Sequence, residues 1–392
     1  MKKRVLILSH IPPYPAVGGD HIRICESVSF LARHFCVDIA YISHRHGVPC
    51  QKAFNAGIAN EYRFYVPTTT RVLQVARTLL NGHPSVVNHY NNRALHKFVE
   101  SRARDYDFVF CASAVMAQYA MRIEGLRAYL DMTDSLAMNR STAAEMQHGL
   151  RRRLLKEESQ RLSAYEAEAL AYFRHTAYIS EADAAFIAGG NKYIVGNSVQ
   201  TVDDSQCCRH TAEAHNMLFT GIMDYEPNVT AARFFALEAM PLIRRATPQA
   251  TFTIAGKSPA AKVRELAALE GIAVTGYVES LTPFYNDCAL VVAPMLSGSG
   301  IQNKILQAMS RRCCVLTTPK GIEGMEQLDD ALVVCDPDAP TMARTAVGLL
   351  QNRDERMRIG TLAHSRVADT FGPAQTDTQY CAFFDIINKS GE

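Results

Sequence analysis

Residues 289–325 read ALVVAPMLSGSGIQNKILQAMSRRCCVLTTPKGIEGM, and this stretch decides the fold class. Its first apolar run predicts a strand that is buried on both faces, and Gly298 and Gly300 predict a loop directly after that strand. A helix is predicted to begin near Ile301, and Cys314–Thr317 is predicted to be a second buried strand. Strand, loop, helix and strand in this order form the repeating unit of a parallel sheet that is covered by helices.

The same alternation continues through the rest of the 392 residues. Two series of strands predict an α/β protein with two doubly wound, Rossmann-like domains, because a chain of this length exceeds one ordinary core. The predicted strands are Arg4–Ser9, Cys36–Ile42, Tyr62–Val66, Asp107–Cys111, Arg127–Met132 and Thr176–Ser180 in the first half, and Met217–Thr220, Thr251–Ala255, Ala273–Thr275, Ala289–Ala293, Cys314–Thr317 and Ala331–Val334 in the second.

The boundary between the two domains is predicted near residues 197–214, where a polar stretch without periodicity precedes the apolar run NMLFTG. The first domain is therefore assigned to 1–198 and the second to 199–373. An amphipathic segment at about 374–392 is expected to pack back on the first domain. A long helix is also predicted from about Thr142 to Phe173, because this stretch is rich in Ala, Leu, Glu and Arg.

Composition excludes several protein classes. Hydrophobic residues make up 48% of the chain and charged residues 20%, which rules out a disordered or fibrous protein. No apolar run reaches the roughly 18 residues of a membrane span, and the opening MKKRVLIL is better interpreted as a buried strand than as an export signal. Eleven cysteines without a regular framework then point to reduced thiols in a cytoplasmic protein. The pairs Cys207-Cys208 and Cys313-Cys314 lack C-x-x-C spacing, so the sequence predicts no metal site.

The net charge of +2 hides an asymmetry between the two halves. Residues 1–198 carry a net charge of +7, and the remainder carries −5. No dense basic stripe with interleaved aromatic residues is present, so a nucleic-acid partner is not predicted. Two interpretations of the basic half stay open: contact with an anionic membrane surface, and an ordinary solvated surface.

The loop and helix that follow the strand at 289–293 form the strongest candidate binding site. Ligands of open α/β sheets bind beyond the carboxyl ends of the strands, where this loop lies. Helix amides at such a position face anionic oxygens, and Lys304 adds a positive charge within the first helical turn. A plain glycine turn with surface amides is the alternative. The candidate binding residues are Ser299, Gly300, Ile301, Gln302, Asn303, Lys304 and Gln307.

The first domain also offers candidates at strand ends. Gly18 and Gly19 follow the first strand, where glycine permits close approach of the backbone to a phosphate; turn glycines give the same pattern, and G-x-G-x-x-G is absent. Asp131 and Asp134 follow a buried strand, where a carboxylate can orient an acceptor hydroxyl. Asp134 as the cap of the next helix is the alternative. Further candidates are His10, His21, Ser113 and Ser135.

From 216 to 324 the sequence resembles the donor half of family-4 glycosyltransferases with the GT-B fold. It is most similar to sugar transferases found with bacterial exopolysaccharide and exosortase systems. The resemblance rests on FTGIMDYEPN, FFALEAMPLIRRATPQATFTIAGKSP, VTGYVES, VVAPMLSGSGIQNKILQAM and VLTTPKGIEGM, with a looser match through PPYPAVGGDHIR, CASAVMAQYA, DMTDS and VGNSV. It implies a GT-B fold whose two Rossmann-like domains face each other across a cleft.

The resemblance implies retaining transfer of a sugar from a UDP- or GDP-linked donor to an acceptor hydroxyl. Enzymes of this family need no metal or other cofactor and use the donor phosphate as the base. Gly18 and Gly19 would then approach the donor diphosphate from the first domain, and Gly221 would open the loop of the second domain. Asp224 and Asn228 belong to the subgroup pattern M-D-Y-x-P-N. The implied acceptor is a polyprenyl-linked sugar, a glycolipid or a polysaccharide at the inner face of the cell membrane.

The sequence departs from the family pattern at three places. Relatives carry an acidic pair spaced E-x7-E, whose first acid binds the donor sugar and whose second binds the ribose; the matching residues here are Ser299 and Gln307. The Arg and Lys pair that binds the diphosphate is absent, and Lys257 or Lys304 would replace it. Two alternatives to a transferase stay open. Gln307 suggests an inactive nucleotide-sugar-binding protein, and a nucleotide-sugar epimerase is the other alternative, because a fold does not fix the reaction.

Overall fold

The structure is a computed structural model of the chain. It describes residues 2–13, 19–43, 57–67, 77–78, 81–145, 147–200, 202–211, 214–298 and 300–386. The chain divides into two compact units, Met1–Asn197 with Thr376–Glu392 as unit 1 and Ser198–Gln375 as unit 2. In the described ranges, no helix combines the length and apolar character that crossing a bilayer requires.

Unit 1 contains a parallel sheet of seven described strands in the order β3-β2-β1-β4-β5-β6-β7. The order reverses between β1 and β4, which is where open α/β sheets open a crevice at the carboxyl ends of their strands. The strands are β1 Arg4–Ser9, β2 Cys36–Ser43, β3 Ile58–Tyr65, β4 Phe108–Cys111, β5 Ala128–Thr133, β6 His175–Tyr178 and β7 Lys192–Ile194.

Helices cover both faces of this sheet. In β1, Leu6 and Leu8 contribute to one apolar core and Val5 and Ile7 to the other, so the strand is buried on both sides. This explains why its sequence is a continuous apolar run rather than an alternating one. The helices of unit 1 are α1 Gly19–His34, α2 Ser85–His89, α3 Arg93–Arg102, α4 Ala117–Ala120, α5 Leu136–Glu145, α6 Gly149–Tyr172 and α7 Glu181–Phe186.

Unit 2 contains a second parallel sheet, with six described strands in the order β10-β9-β8-β11-β12-β13. Its strands are β8 Asn216–Thr220, β9 Thr251–Ala255, β10 Ile272–Gly276, β11 Leu290–Ala293, β12 Val315–Thr317 and β13 Val333–Val334. Its helices are α8 Glu226–Phe234, which continues as a π-helical turn over Phe235–Ala239, then α9 Met240–Ala246, α10 Ala261–Arg264, α11 Thr282–Asp287, α12 Asn303–Met309, α13 Ala339–Gln351 and α14 Arg353–Phe371.

The last described helix, α15 Pro373–Phe383, packs on the sheet of unit 1. The Tyr380 ring stacks on Phe30 of α1 with their centroids 5.0 Å apart, and its hydroxyl lies 2.9 Å from Ser27 Oγ. Arg33 donates to Asp377 at the exposed end of the same contact. Aromatic burial of this kind supplies most of the free energy with which a terminal helix is held.

The predicted α/β class is confirmed, and the structure corrects three local predictions. The helix predicted from Thr142 to Phe173 is two helices, and Gly149, which begins the second, has a φ of 61° that a continuous helix does not tolerate. The helix predicted near Ile301 begins at Asn303. The sheet of unit 1 contains one further short strand, Lys192–Ile194. This strand was not predicted, because its mixed polar composition gives no strand signal.

Candidate functional site

The carboxyl edge of the sheet in unit 2 collects the loops that the sequence singles out. Gly221 follows β8, Lys257 follows β9 and the loop at 294–302 follows β11. Because β9, β8 and β11 are neighbours in a parallel sheet, their carboxyl ends lie side by side. The structure therefore brings these candidate residues to one edge, where α/β proteins bind their ligands.

Two of these loops touch through glycines. A Cβ atom added at Gly256 would lie 1.7 Å from the carbonyl oxygen of Gly221, and a Cβ at Gly221 would lie 2.7 Å from the side-chain nitrogen of Asn228. Neither contact can be relieved cheaply, because the first involves backbone and the second a side chain that is itself fixed. Glycine at both positions lets the backbone after β8 and the backbone after β9 approach each other at this edge.

Lys304 is half-buried behind this edge and has no carboxylate partner among the described residues. Its ammonium donates hydrogen bonds to Asn228 Oδ1 and to Met295 Sδ, and it lies 4.8 Å from the centroid of the Phe219 ring. Burial lowers the pKa of Lys304 to about 7, because these neutral groups do not replace the lost hydration of the cation. The positive charge of Lys304 is thus only partly compensated by its neighbours, and a bound anion would compensate it further.

Asn228 has a structural role that its sequence pattern does not reveal. Its side-chain nitrogen donates to the carbonyl of Ile222 at 3.0 Å while its oxygen accepts from Lys304. Both ends of the amide are therefore occupied, and the residue is 5% exposed. Asn228 ties the loop after β8 to α12, so it positions Lys304 rather than presenting an amide to a ligand.

The loop before α12 is shaped by glycine. Gly300 has a φ of 73°, in the left-handed region that favours glycine, and its carbonyl accepts a hydrogen bond of 3.2 Å from the side chain of Gln302. Ile301, Gln302 and Asn303 are half-buried at the start of the helix. Ser299, which matches the first acid of the family's acidic pair, lies outside the described residues. Its role in donor binding therefore stays a prediction.

Other predicted contacts of unit 2 are more open. Asp224 is exposed, and Lys257 is half-buried. The carbonyl of Lys257 accepts a hydrogen bond from the amide of Met223 at 2.9 Å. Gln307 is half-buried on α12, and its side-chain amide makes no hydrogen bond to the described residues. That amide is free to bond a ligand hydroxyl.

Unit 1 has a cavity of about 170 Å³ at the carboxyl ends of β1, β4 and β5. It lies at the reversal of strand order between β1 and β4. Three of the predicted residues line it: Asp134, Ser113 and His10. His10 Nε2 lies 3.7 Å from a carboxylate oxygen of Asp20. The remaining lining is mainly apolar, with polar groups converging from Asp20, Arg23, Tyr90 and Thr133.

Asp134 is the acid that faces this cavity. Burial, together with the charges of Asp183, Asp20 and Asp131, raises the pKa of Asp134 to about 7, and the charge of Arg23 opposes the shift only in part. The preceding residue, Thr133, has a φ of 64°, a strained conformation for a β-branched residue. A carboxyl that titrates near neutral pH beside a strained backbone is typical of a functional site.

Asp131 is placed differently and does not belong to the cavity lining. Arg23 donates to both of its oxygens, at 2.7 and 3.2 Å, and the amide of Thr133 donates to one of them at 2.9 Å. The other nitrogen of the Arg23 fork donates to the carbonyls of Val195 and Gly196. The contacts give Asp131 a positioning role, in place of the catalytic role suggested by the sequence.

The alternative role of Asp134 is capping of α5, and the neighbouring residue Ser135 caps this helix instead. Ser135 Oγ accepts from the amide of Met138 at 3.1 Å, which is the bond of a helix cap, and donates to Glu166 at 2.8 Å. Capping is thus supplied without Asp134. Gly19 begins α1, His21 lies within that helix, and Gly18 lies outside the described residues.

The sequence missed Arg23 and Gly256 as parts of these sites. A single arginine within an amphipathic helix gives no sign that it is buried, and Gly256 resembles any glycine after a strand. Only the neighbouring strands, which come from distant parts of the chain, show what these residues touch.

Comparison with known proteins bears on both units. Residues 214–352, which are less than half of the chain, match the family model of group 1 glycosyl transferases. This range contains the carboxyl edge described above, from Gly221 to Gln307. No curated protein sequence shows a significant match to the chain.

Solved structures match nearly the whole chain. HepE of Anabaena, determined in complex with UDP, is 11% identical with a TM-score of 0.68, and the match covers 98% of this chain and 100% of HepE. Sucrose-phosphate synthase of Thermosynechococcus elongatus is 13% identical with a TM-score of 0.69 and 98% coverage of each chain. TarM is 10% identical with a TM-score of 0.71, covering 98% of this chain and 99% of TarM. The protein therefore has the GT-B fold, and its residues 214–352 match the family model of the group 1 glycosyl transferases.

Proposed function

We propose that this protein is a glycosyltransferase that moves a sugar from a nucleotide-sugar donor to an acceptor hydroxyl, with retention at the anomeric carbon. The observation that carries the proposal is the edge of unit 2. Three features lie together there: the contact between Gly221 and Gly256, the loop shaped by Gly300, and the partly compensated charge of Lys304. All of them lie inside the segment that matches the group 1 glycosyl transferases.

The chemistry of a nucleotide sugar suits this edge. When the sugar leaves, negative charge grows on the diphosphate, and a fixed cation at Lys304 stabilises that charge more than it stabilises the intact donor. The backbone at Gly221 and Gly300 allows close approach of phosphate oxygens. Gln307, with its free amide, would bond the ribose hydroxyls.

Unit 1 would take the acceptor. Asp134 faces a cavity that has polar groups on an apolar wall, and a carboxyl with a pKa of about 7 can accept a hydrogen bond from an acceptor hydroxyl at neutral pH. In the proposed reaction the bond from the anomeric carbon to the phosphate breaks and the bond to the acceptor oxygen forms. The hydroxyl proton passes to the departing phosphate oxygen, so no metal or other cofactor takes part.

A UDP-linked donor is favoured over a GDP-linked one by the structural neighbours. HepE has been determined with UDP, with UDP and glucose, and with UDP-glucose. The proposed acceptor is a polyprenyl-linked sugar, a glycolipid or a polysaccharide, and the proposed pathway is the synthesis of a cell-surface polysaccharide such as an exopolysaccharide. One alternative, an inactive nucleotide-sugar-binding protein, follows from Gln307; the other, an epimerase, follows because a fold does not fix the reaction.

A donor survey tests the proposal directly. The purified protein is heated with UDP-glucose, UDP-N-acetylglucosamine, UDP-galactose and GDP-mannose, and the donor that raises the melting temperature most is incubated with glycosylated polyprenyl phosphates. Nuclear magnetic resonance then identifies transfer with retention, isomerisation of the donor, or binding without turnover. Absence of stabilisation by every donor would contradict a nucleotide-sugar site.

Cytoplasmic location with peripheral contact to the inner face of the membrane is part of the proposal. A polyprenyl-linked acceptor is anchored in a membrane, and residues 1–198 carry a net charge of +7, which an anionic membrane surface would attract. The stretch RVLQVARTLL begins at Arg71, and of its residues the structure describes Arg77, which is exposed, and Thr78. Recovery on phosphatidylglycerol vesicles should exceed recovery on phosphatidylcholine vesicles and should fall with salt. Equal recovery on both would remove this part of the proposal.

A further inference from the structure

Three cysteine thiols meet in the interior of unit 2, away from the edge described above. Cys208 lies in the segment before β8, Cys288 follows α11, and Cys313 precedes β12. All three are buried, and their sulfur atoms lie within 4.8 Å of one another. The spacing of these residues along the chain gives no metal motif, because the fold rather than a local sequence brings them together.

Backbone hydrogen bonds fix the three cysteines in this arrangement. The amide of Cys208 donates to the carbonyl of Arg311 at 2.8 Å, and the amide of Arg209 donates to the carbonyl of Asn286 at 3.0 Å. The segment that carries Cys208 is therefore held between the end of α11 and the turn before β12. Two of the thiols are also hydrogen-bonded: Cys208 Sγ donates to the carbonyl of Cys288 at 3.2 Å, and Cys288 Sγ donates to the carbonyl of Tyr285 at 3.3 Å.

His210 lies beside this cluster, and one of its two ring nitrogens makes no hydrogen bond to the described residues. Its ring adjoins the thiol of Cys208, and its Nε2 lies 2.7 Å from the carbonyl oxygen of Arg312. Because a carbonyl only accepts, Nε2 carries the hydrogen and Nδ1 carries a lone pair. Nδ1 is buried and has no hydrogen-bond partner among the described residues. An imidazole that donates from one nitrogen to a carbonyl and keeps the other free has the arrangement found in metal-binding histidines.

A buried cation lies close to the same segment. Arg356 of α14 is fully buried and forms no ion pair in the described part of the chain. Its guanidinium donates only to carbonyls, those of Leu349, Leu350 and Thr211, the residue after His210. A buried charge without a counter-charge is costly, so a negatively charged group near His210 and Cys208 would be favoured here.

We propose that Cys208, Cys288 and Cys313 bind a structural Zn²⁺ ion, with Nδ1 of His210 as the fourth ligand. In a tetrahedral site with Zn–S distances of about 2.3 Å, sulfur atoms lie about 3.8 Å apart, so side-chain rotations that draw the sulfurs together by about 1 Å or less give the three thiolates this spacing. Three thiol protons leave to solvent on binding. The resulting centre has a net charge of −1, which compensates Arg356.

The zinc would fasten the segment at 202–211 to α11 and to the turn before β12. Removal of the metal is then expected to destabilise unit 2 without changing the residues of the proposed donor site. The inference is independent of the proposed function, because none of the four ligands lies at the carboxyl edge of the sheet.

The wild-type protein provides the first test. It is produced with added zinc, purified in a reducing buffer and desalted, and its metal content is measured by mass spectrometry. About one zinc per chain is expected, together with a melting temperature that falls by several degrees after treatment with a chelator. Replacement of zinc by Co²⁺ should give the strong near-ultraviolet absorption of thiolate-to-cobalt charge transfer, which requires no variant.

Variants test the assignment of the ligands. Cys288→Ser and Cys313→Ser should each lower zinc affinity at least tenfold, and His210→Ala should lower it about 10- to 100-fold. Cys314→Ser is the matched control, because Cys314 is equally buried but packs in the other core of unit 2. It should lose comparable packing and retain its zinc.

Three results would overturn the proposal. The first is a wild-type protein that retains no zinc and gives no cobalt absorption, which would leave a plain apolar thiol cluster. The second is an equal loss of zinc in Cys313→Ser and Cys314→Ser. The third is a disulfide between two of the three cysteines, seen as the loss of two hydrogens in the intact mass of protein kept under reducing conditions.

Discussion

Lys304 on α12 donates a hydrogen bond to Asn228 on α8, and this bond joins the helices that follow two neighbouring strands, β11 and β8, at one sheet edge. The amide of Asn228 is neutral, so it orients the ammonium without compensating its charge. Burial then lowers the pKa of Lys304 to about 7. The protein thus holds a lysine that is only partly protonated at neutral pH and that gains a proton when an anion arrives.

Substitution of Lys304 by Met is expected to weaken donor binding about 10- to 100-fold, since hydrogen bonds to charged groups contribute about 1.5–3 kcal/mol. Wild-type affinity should fall as the pH rises from 7 to 9, because the bound diphosphate requires the protonated lysine and the free site loses it in this range. Calorimetry at pH 8 in buffers with different ionisation enthalpies should show proton uptake by the wild type only. Lys262→Met, at an exposed position on α10, is the control. Unchanged affinity in Lys304→Met would remove Lys304 from the donor site.

Gly300→Val is expected to abolish donor binding while the fold is retained. The φ of 73° at Gly300 strains any β-branched residue, and a relaxed backbone would move the loop amides away from the diphosphate. Gly125→Val is the matched control: Gly125 has a φ of 70° and open space around its Cβ position, so it measures the cost of the strain alone. Calorimetry with the nucleotide gives the affinities. If Gly300→Val binds as the wild type does, the loop does not contact the donor.

The alternation of strands and helices was predictable, and the contacts within each site were not. The strands Arg4–Ser9 and Thr251–Ala255 were located to the residue. For Arg4–Ser9 the reason is that a strand buried on both faces leaves only apolar choices in its interior. Lys304 was identified from its position after a glycine loop. Its lowered pKa could not be predicted, since that depends on Phe219 and Asn228, which come from other elements.

The two aspartates of the DMTDS motif illustrate the same limit. Asp131 and Asp134 are three residues apart and were given the same predicted role, but Asp131 lies within β5 and Asp134 follows it. Arg23, more than a hundred residues earlier, is what separates their roles, because it binds one carboxylate and only partly offsets the burial of the other. Neither periodicity nor spacing could reveal this partner. Long-range pairing decides which acid is available for chemistry.

Asp134→Asn is expected to stabilise the protein at alkaline pH and to lower transfer activity about a hundredfold. The pKa of Asp134 is raised from its ordinary value to about 7, so the folded state binds more protons than the unfolded state between these values. Wild-type stability therefore decreases as the pH rises through this window. The variant lacks this loss, and at pH 8 it should be more stable by at least about 1.4 kcal/mol, the equivalent of one pKa unit. Denaturant titrations at pH 5 and pH 8 measure the difference, which should be smaller at pH 5 and vanish only below the ordinary carboxyl pKa of about 4.

Asp131→Asn should behave in the opposite way. Its loss leaves the guanidinium of Arg23 buried without a counter-charge, and removal of one partner of a buried pair costs about 3–5 kcal/mol. Denaturant unfolding at neutral pH should show this cost, and donor affinity per folded molecule should stay unchanged. A variant with wild-type stability and reduced turnover would instead restore Asp131 to a catalytic role.

Variants of Gln307 distinguish an active transferase from a protein that binds the nucleotide sugar without transferring the sugar. Its side-chain amide is free of partners among the described residues, so a ribose hydroxyl can bond it without displacing another contact. Gln307→Glu keeps the geometry and adds a charge-assisted bond, worth about 1.5–3 kcal/mol against roughly 1 for a neutral one, so donor affinity should rise several-fold. Gln307→Ala should lower it by a comparable factor, and Gln351→Glu, on the exposed end of α13, should leave it unchanged. A binding-only protein would show these affinity changes without transfer to any acceptor in either variant. If both variants bind the nucleotide as the wild type does, Gln307 does not contact the ribose, and the position of the family's second acid has no counterpart in this chain.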